Sequence, residues 1–394
     1  MKTKLFLASA LLLTTTVTSA FATAEWVNYS AVCVNGTWYN CSSNNGWCTG
    51  GVFNGANLGA ISTLSIGGQS YVHDYNGSNW GQGTMTMGYS IDGVDNSHAL
   101  TFKSFDDVNK TMCFESGGSN WVPQTIDISG LNGGKHTLAV WFTSDGQWDS
   151  NNGNNYVATF TINKPITLAN DANNTPILNR NKSYTGDVVL NGLTLYKDNC
   201  WNSLCLPFGL SSAEIASSPL AGATINKLTS SSFLDGKLSL TFNNSTEIEA
   251  GVPYLIKWGS GDNITNPEFQ GVTITQSQAG EFAGNFVYFK GTFDQITFDE
   301  ANDHIYFLGE GNGLFYPEAG ASIRAFGAYF FLTDPLLVKA FQLNFDEETN
   351  SIQAISNETD AQNDGYYTID GRRINGMPAT SGLYILNGKK VMIK

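Results

Sequence analysis

The sequence predicts an all-β chain folded as more than one domain, and three observations carry that expectation. Apolar runs are short and are punctuated by Asn-Gly, Gly-Gly and Asp-Gly pairs at regular intervals, the pattern of strands joined by tight turns. The 42 glycines and 16 tyrosines among 394 residues suit many short strands. Helical periodicity is nearly absent, and in the middle of the chain only 211–216 reads as a helix. The length implies roughly two or three domains. A hydrophobic content of 41% with 14% charged residues lets such a chain bury a core without help from a metal.

Taken in order, the first residues read as a secretory signal. Lys2 and Lys4 form the positive end, Leu5 to Leu13 the apolar segment, and Ala22-Thr23-Ala24 the small-residue cleavage site, with Ala20-Phe21-Ala22 competing. No later apolar run approaches the about 20 residues of a membrane helix, so no transmembrane segment is expected. The expected location is outside the cell, secreted or on the outer surface of a Gram-negative bacterium. The formal net charge is −14, and removing Lys2 and Lys4 deepens it. A phosphate backbone would be repelled, so nucleic acid is excluded as a partner. Six cysteines in an exported chain make disulfides an expectation. Cys200 and Cys205 are the candidates for closing a small loop. If Asn35-Gly36 is a two-residue hairpin turn, Cys33 lies opposite Trp38 and Cys41 on the other face, which argues against a Cys33–Cys41 bridge.

Residues 25–163 read as one antiparallel β domain. Its clearest part is Ile126-Asp127-Ile128-Ser129-Gly130-Leu131, then Gly133-Gly134-Lys135-His136-Thr137-Leu138-Ala139-Val140-Trp141-Phe142, and after a loop Tyr156-Val157-Ala158-Thr159-Phe160-Thr161-Ile162. This resembles the last strands of bacterial immunoglobulin-like sandwiches, and the resemblance implies an N-terminal immunoglobulin-like β-sandwich.

Residues 164–345 read as a second β-rich domain. Strands are expected at 187–195, 204–208, 237–242, 253–258, 271–274, 286–293, 304–308, 314–316 and 325–332. Three runs in order, at 195–208 (Leu-Tyr-Lys-Asp to Leu-Cys-Leu-Pro-Phe), 249–257 (Glu-Ala-Gly-Val-Pro-Tyr-Leu-Ile-Lys) and 326–330 (Phe-Gly-Ala-Tyr-Phe), resemble a module common in exported proteins of the Bacteroides and Prevotella group. The resemblance implies a domain that spaces or presents its N-terminal neighbour. Residues 346–364 are polar and acidic without periodicity and read as a linker. The end of the chain, 365–394, changes character: Tyr366 to Arg373 reads as strand and turn, and 382–394 as a hairpin around Asn387-Gly388. This tail resembles the C-terminal sorting domains of the type IX secretion system, through Gly371, Arg372, Gly382, Tyr384, Gly388 and Lys390, although it is shorter than the usual sorting domain. The resemblance implies that export machinery reads it. The plain alternative is a β-hairpin completing an edge of the second domain.

Enzyme signatures are scarce. The sequence has no Gly-x-Ser-x-Gly, His-Glu-x-x-His or Walker loop, and the four histidines are scattered at 73, 98, 136 and 304. His136 reads as a structural residue in a strand, and no metal or other cofactor is expected. The incomplete oxygen-ligand run around Asp149, Asn151 and Asn155 lacks the terminal Glu of a calcium loop and reads as a solvated loop. Trp141 is expected in the core. Trp80, Trp121 and Trp148 stand in polar loops, beside Asn79 for the first and Gln147 and Asp149 for the last. Exposed indoles stack on the apolar faces of sugars while amides and carboxylates bond the hydroxyls. The opposed reading is that these rings fold back to cap the core. The expected function is therefore a non-catalytic secreted or surface protein binding extracellular polysaccharide or cell-surface glycan through the first domain's loops. The alternative is a structural, adhesin or protein-interaction module. A glycoside hydrolase, needing two carboxylates across a cleft, is the minor one.

Overall fold

In the computed structural model, described residues are 24–42, 48–74, 84–144, 147–149, 151, 154–309, 312–345, 348–350, 366–368, 373–374, 378, 382–386 and 389–393. Residues 1–23 of the expected signal segment 1–24, and most of the expected linker, lie outside them. Among the described residues the chain is all-β apart from two short helices, and it divides into two compact units, one of residues 1–130 and 136–160, the other of 131–135 and 161–394. Among the described residues no helix is long and apolar enough to cross a membrane.

The first unit is built from β1 (Ala24–Val34), β2 (Thr37–Asn40), β3 (Asn57–Ala60), β4 (Leu64–Asp74), β5 (Met85–Ile91), β6 (Val94–Asp106), β7 (Thr111–Glu115), β8 (Gln124–Ile126), β9 (Gly134–Ser144), β10 (Gln147–Asp149) and β11 (Tyr156–Ile162). Its hydrogen-bonded order is β2-β1-β4-β7-β6-β5-β9-β11-β3, with β8 beside β4 and β10 beside β9. The immunoglobulin pattern holds its strands in two separate sheets. Here one path runs through both layers because β6 is long: Val94–Leu100 pairs with β5, and beyond it Thr101–Asp106 pairs with β7. A register shift between Phe102 and Ser104 bends it at the corner.

Two hairpin turns in this unit are the expected kind. Asn35-Gly36 joins Val34 to Thr37 and Asp92-Gly93 joins Ile91 to Val94, all four turn residues having positive φ. Cys33 indeed lies opposite Trp38. Gly67-Gly68, by contrast, is not a turn but sits inside β4. A Cβ on Gly68 would press on Met87 and Phe142 of the opposite layer, so this glycine lets the two layers approach. The core between them holds Val32, Ile66, Met87, Phe114, Val140 and Phe142, all at most 1% exposed. His136 is a satisfied structural residue: it is 1% exposed, stacks on Phe160, and bonds Asp92 through Nδ1 at 2.7 Å.

The second unit faces two sheets across a core of phenylalanines. One sheet orders Asn202–Cys205, Pro253–Lys257, Thr224–Leu234, Lys237–Asn244, Ala340–Phe345 and Glu348–Asn350. The other orders Glu281–Ala283, Val287–Gly291, Ala328–Leu332, Ile305–Leu308 and Leu314–Phe315. Phe242 of the first meets Phe289 and Phe330 of the second, with ring centroids 5.8 and 6.5 Å away. A smaller sheet joins Ile166–Ala169, Thr185–Asn191 and Glu268–Thr273. The three runs noted in the sequence meet in space: Asn202–Cys205 pairs with Pro253–Ile256, and the Cys205 N–H donates to the Phe326 carbonyl at 2.8 Å. Helix α1 (Thr175–Arg180) was not expected, whereas α2 (Ser212–Ala216) was. Ser211 caps α2 in a reciprocal box with Glu214.

Two expectations are corrected. Cys200 and Cys205 are free thiols, as are Cys33, Cys41, Cys48 and Cys113. The strand Asn202–Cys205 holds Cys205 in the sheet with its thiol buried, while Cys200 stays half-buried in the bend before the strand. Cys205 is buried, its Sγ packed against Gly291. The expected linker is also strand at its start, since Glu348–Asn350 pairs back onto Leu343–Phe345. In the tail, Gly382–Leu386 and Lys389–Ile393 form an antiparallel pair with Leu386 opposite Lys389. Tyr384 is buried and Lys390 lies opposite Ile385, while Gly371, Arg372 and Gly388 lie outside the described residues.

Candidate functional site

Strand alternation places two indoles on one outer face of the first unit. Along β9 the even-numbered residues are buried and most of the odd ones half-buried, so Leu138, Val140 and Phe142 face the core and Trp141 and Thr143 face outward. The short strand β10 sets Trp148 directly opposite Thr143. Paired residues point the same way, so Trp148, 41% exposed, shares its face with half-buried Trp141. On the other flank β5 sets Gly88 opposite Trp141 and Thr86 opposite Thr143. The next strand, β6, adds Ser97 and Ala99. A Cβ on Gly88 would overlap the Trp141 ring, so the indole lies against the bare backbone of β5. The result is a pair of rings amid small side chains.

A second aromatic patch lies on the outer face of β4. Gly67 alternates with inward Gly68, and a Cβ there would overlap Trp121. Trp121 tilts against Trp38, the centroids 4.8 Å apart at 48°, and both rings are half-buried. Cys33 lies opposite both Trp38 and Gly67 in the register.

The expected site residues separate accordingly. Trp148 and Gln147 are exposed on β10. Trp121 is folded onto Gly67 rather than standing free. Asp149 is 7% exposed and engaged inside the unit: it accepts from the Tyr156 hydroxyl at 2.8 Å and from the Ser30 N–H at 3.3 Å. Burial and this neighbouring carboxylate push the Tyr156 phenol well up from its ordinary range. Trp80 and Asn79 lie outside the described residues. Trp141, expected in the core, belongs to the outer face. The alternation of Leu138, Val140 and Phe142 carried that signal, but the glycine beneath the ring becomes visible only with the register.

No cluster of three or more His, Cys, Asp or Glu side chains is arranged to hold a metal among the described residues. Burial pushes the buried thiols up, Cys41 well above the ordinary range and Cys48 to about 11. They are therefore poor nucleophiles at neutral pH.

No family model matches the chain, and no curated protein matches it. Among solved structures it is similar to a chain described as "Biofilm associated protein - BSP domain", at 10% identity over 81% of this chain and 63% of that one, with a TM-score of 0.13. That score is too low for a shared fold, and nothing is carried over from it.

Proposed function

We propose that this is a non-catalytic exported protein whose first unit binds extracellular glycan on the face carrying Trp141 and Trp148. The observation that carries this reading is an exposed indole sharing a sheet face with a second indole seated on glycine. A large apolar ring left at the surface of a strand is unusual where burial would stabilise it. A ring packed against a glycine is fixed before any ligand arrives, which lowers the ordering cost of stacking. Thr86, Ser97 and Thr143 supply hydroxyls around the rings and are too small to screen them. The N-terminal signal-like segment and the sorting-like tail support delivery to the cell exterior, where such a face would meet polysaccharide. In this reading the second unit spaces and presents the first.

The test is a glycan array and affinity electrophoresis with the full chain, the Trp148→Ala and Trp141→Ala variants and a control in the second unit, Trp258→Phe. Saturable binding to at least one polysaccharide, weakened about tenfold or more by Trp148→Ala, is expected. Binding that ignores both substitutions, or no binding to any polysaccharide, would sink the reading.

A further inference from the structure

The second unit holds a cavity of about 130 Å³ where the strands Thr194–Leu195, Asn202–Cys205, Ser322–Ile323 and Ala328–Leu332 meet. In a chain of net charge −14 it has no carboxylate in its described lining. Its one charged lining residue is Arg324, which is exposed and makes no ion pair or side-chain hydrogen bond among the described residues. Trp201 lines the same cavity, and Lys257 stands over its ring with Nζ 4.8 Å from the centroid, likewise without a carboxylate partner among the described residues. A positive group without an ionic partner among the described residues, on an acidic protein, creates a local potential opposite to that of the molecule. A guanidinium with an open fork recognises a carboxylate through two parallel N–H donors. Thr194 and Ser322 also line the cavity, and their hydroxyls have no hydrogen-bond partner among the described residues, while Leu193 and Phe307 add apolar residues to the lining.

We propose that this cavity binds the carboxylate of a sugar acid, a uronic acid unit, with Arg324 pairing the carboxylate and Thr194 and Ser322 meeting ring hydroxyls. The combination of one unpaired cation, free hydroxyls and a short apolar wall matches a small hydroxylated acid. A neutral sugar would leave the guanidinium unanswered, and a plain fatty or acetic acid would leave the hydroxyls unanswered. The site is separate from the indole face, so the two readings stand or fall independently.

The test is calorimetric titration of the full chain with glucuronate and galacturonate, alongside glucose as the neutral counterpart and acetate as the carboxylate without hydroxyls. Saturable binding of a uronate is expected, with glucose and acetate about tenfold weaker or worse. Arg324→Gln should lose about tenfold or more with its thermal midpoint unchanged, because the side chain is exposed. Thr194→Val, and Lys257→Gln as a second charge variant, should lose less. Trp148→Ala and Trp141→Ala should leave uronate binding intact. The proposal is overturned if no uronate saturates, if glucose or acetate binds as tightly, or if Arg324→Gln binds as the parent does.

Discussion

Asp92 shows how one side chain ties a turn to a core. Its φ of 51° places it in the left-handed region, where Asn and Asp are favoured. Its Oδ2 lies 2.7 Å from His136 Nδ1, and its Oδ1 accepts from the Thr137 N–H at 3.0 Å. His136 is 1% exposed, so losing this partner leaves a polar ring atom buried without its bond. Asp92→Ala should therefore destabilise the first unit by about 1–3 kcal/mol, measured by urea denaturation. Asp92→Asn keeps both the turn preference and hydrogen-bonding capacity and should lose less. Equal losses for the two variants would show that the carboxylate's bonds are incidental.

At the scale of elements, β5 and β9 act together as the seat of the indole face. Gly88→Ala puts a methyl where the Trp141 ring lies, so the ring must lift or the strands must part. Overpacking of this kind costs about 1–3 kcal/mol. The variant should shift the tryptophan emission and weaken polysaccharide binding, while Val108→Ala, exposed in the turn between β6 and β7, should change neither; an unaltered Gly88→Ala protein would deny the ring its seat. The same elements show what a sequence makes legible. Asn35-Gly36, Asp92-Gly93 and Asp235-Gly236 are all two-residue turns at positive φ, because the local chemistry of Asn, Asp and Gly decides the backbone there. The capping box at Ser211 and Glu214 is equally local. Gly67-Gly68 looks the same in sequence yet lies within a strand, because its use is set by residues far along the chain that press on it. Thr224–Leu234 is an 11-residue strand whose polar run Thr229-Ser230-Ser231-Ser232 hides the alternation, and a register shift between Leu228 and Ser230 breaks it further. The cavity beside Arg324 was illegible for the same reason: Thr194, Trp201 and Arg324 come from separate stretches of the chain and line one cavity only in the folded unit.

For the whole molecule, two electrostatic effects oppose each other as pH falls. A formal charge of −14 at neutral pH is self-repelling, and partial protonation of ordinary carboxylates relieves it. Other carboxylates are held below their usual range by hydrogen bonds to the charged form: Asp106 by Asn109 and Val108, Asp127 by Ser129, and Glu214 by Ser211. A depressed folded-state value means the unfolded chain binds protons first. The stability these groups contribute is therefore complete above the ordinary carboxylate range and is lost as pH falls through it and below. All three are exposed, so each contribution is small and their sum sets only the acid limb. The thermal midpoint should thus rise from about pH 8 towards about pH 5 as repulsion fades, then fall below about pH 4. Added salt should raise the neutral limb, where screening acts over about 10 Å, and leave the acid limb nearly in place, because those bonds are short-range. Scanning calorimetry across this range at low and high salt checks both limbs. A midpoint that falls steadily from neutral pH, with no maximum, would mean that the acidic surface is locally compensated and that charge repulsion does not limit the fold.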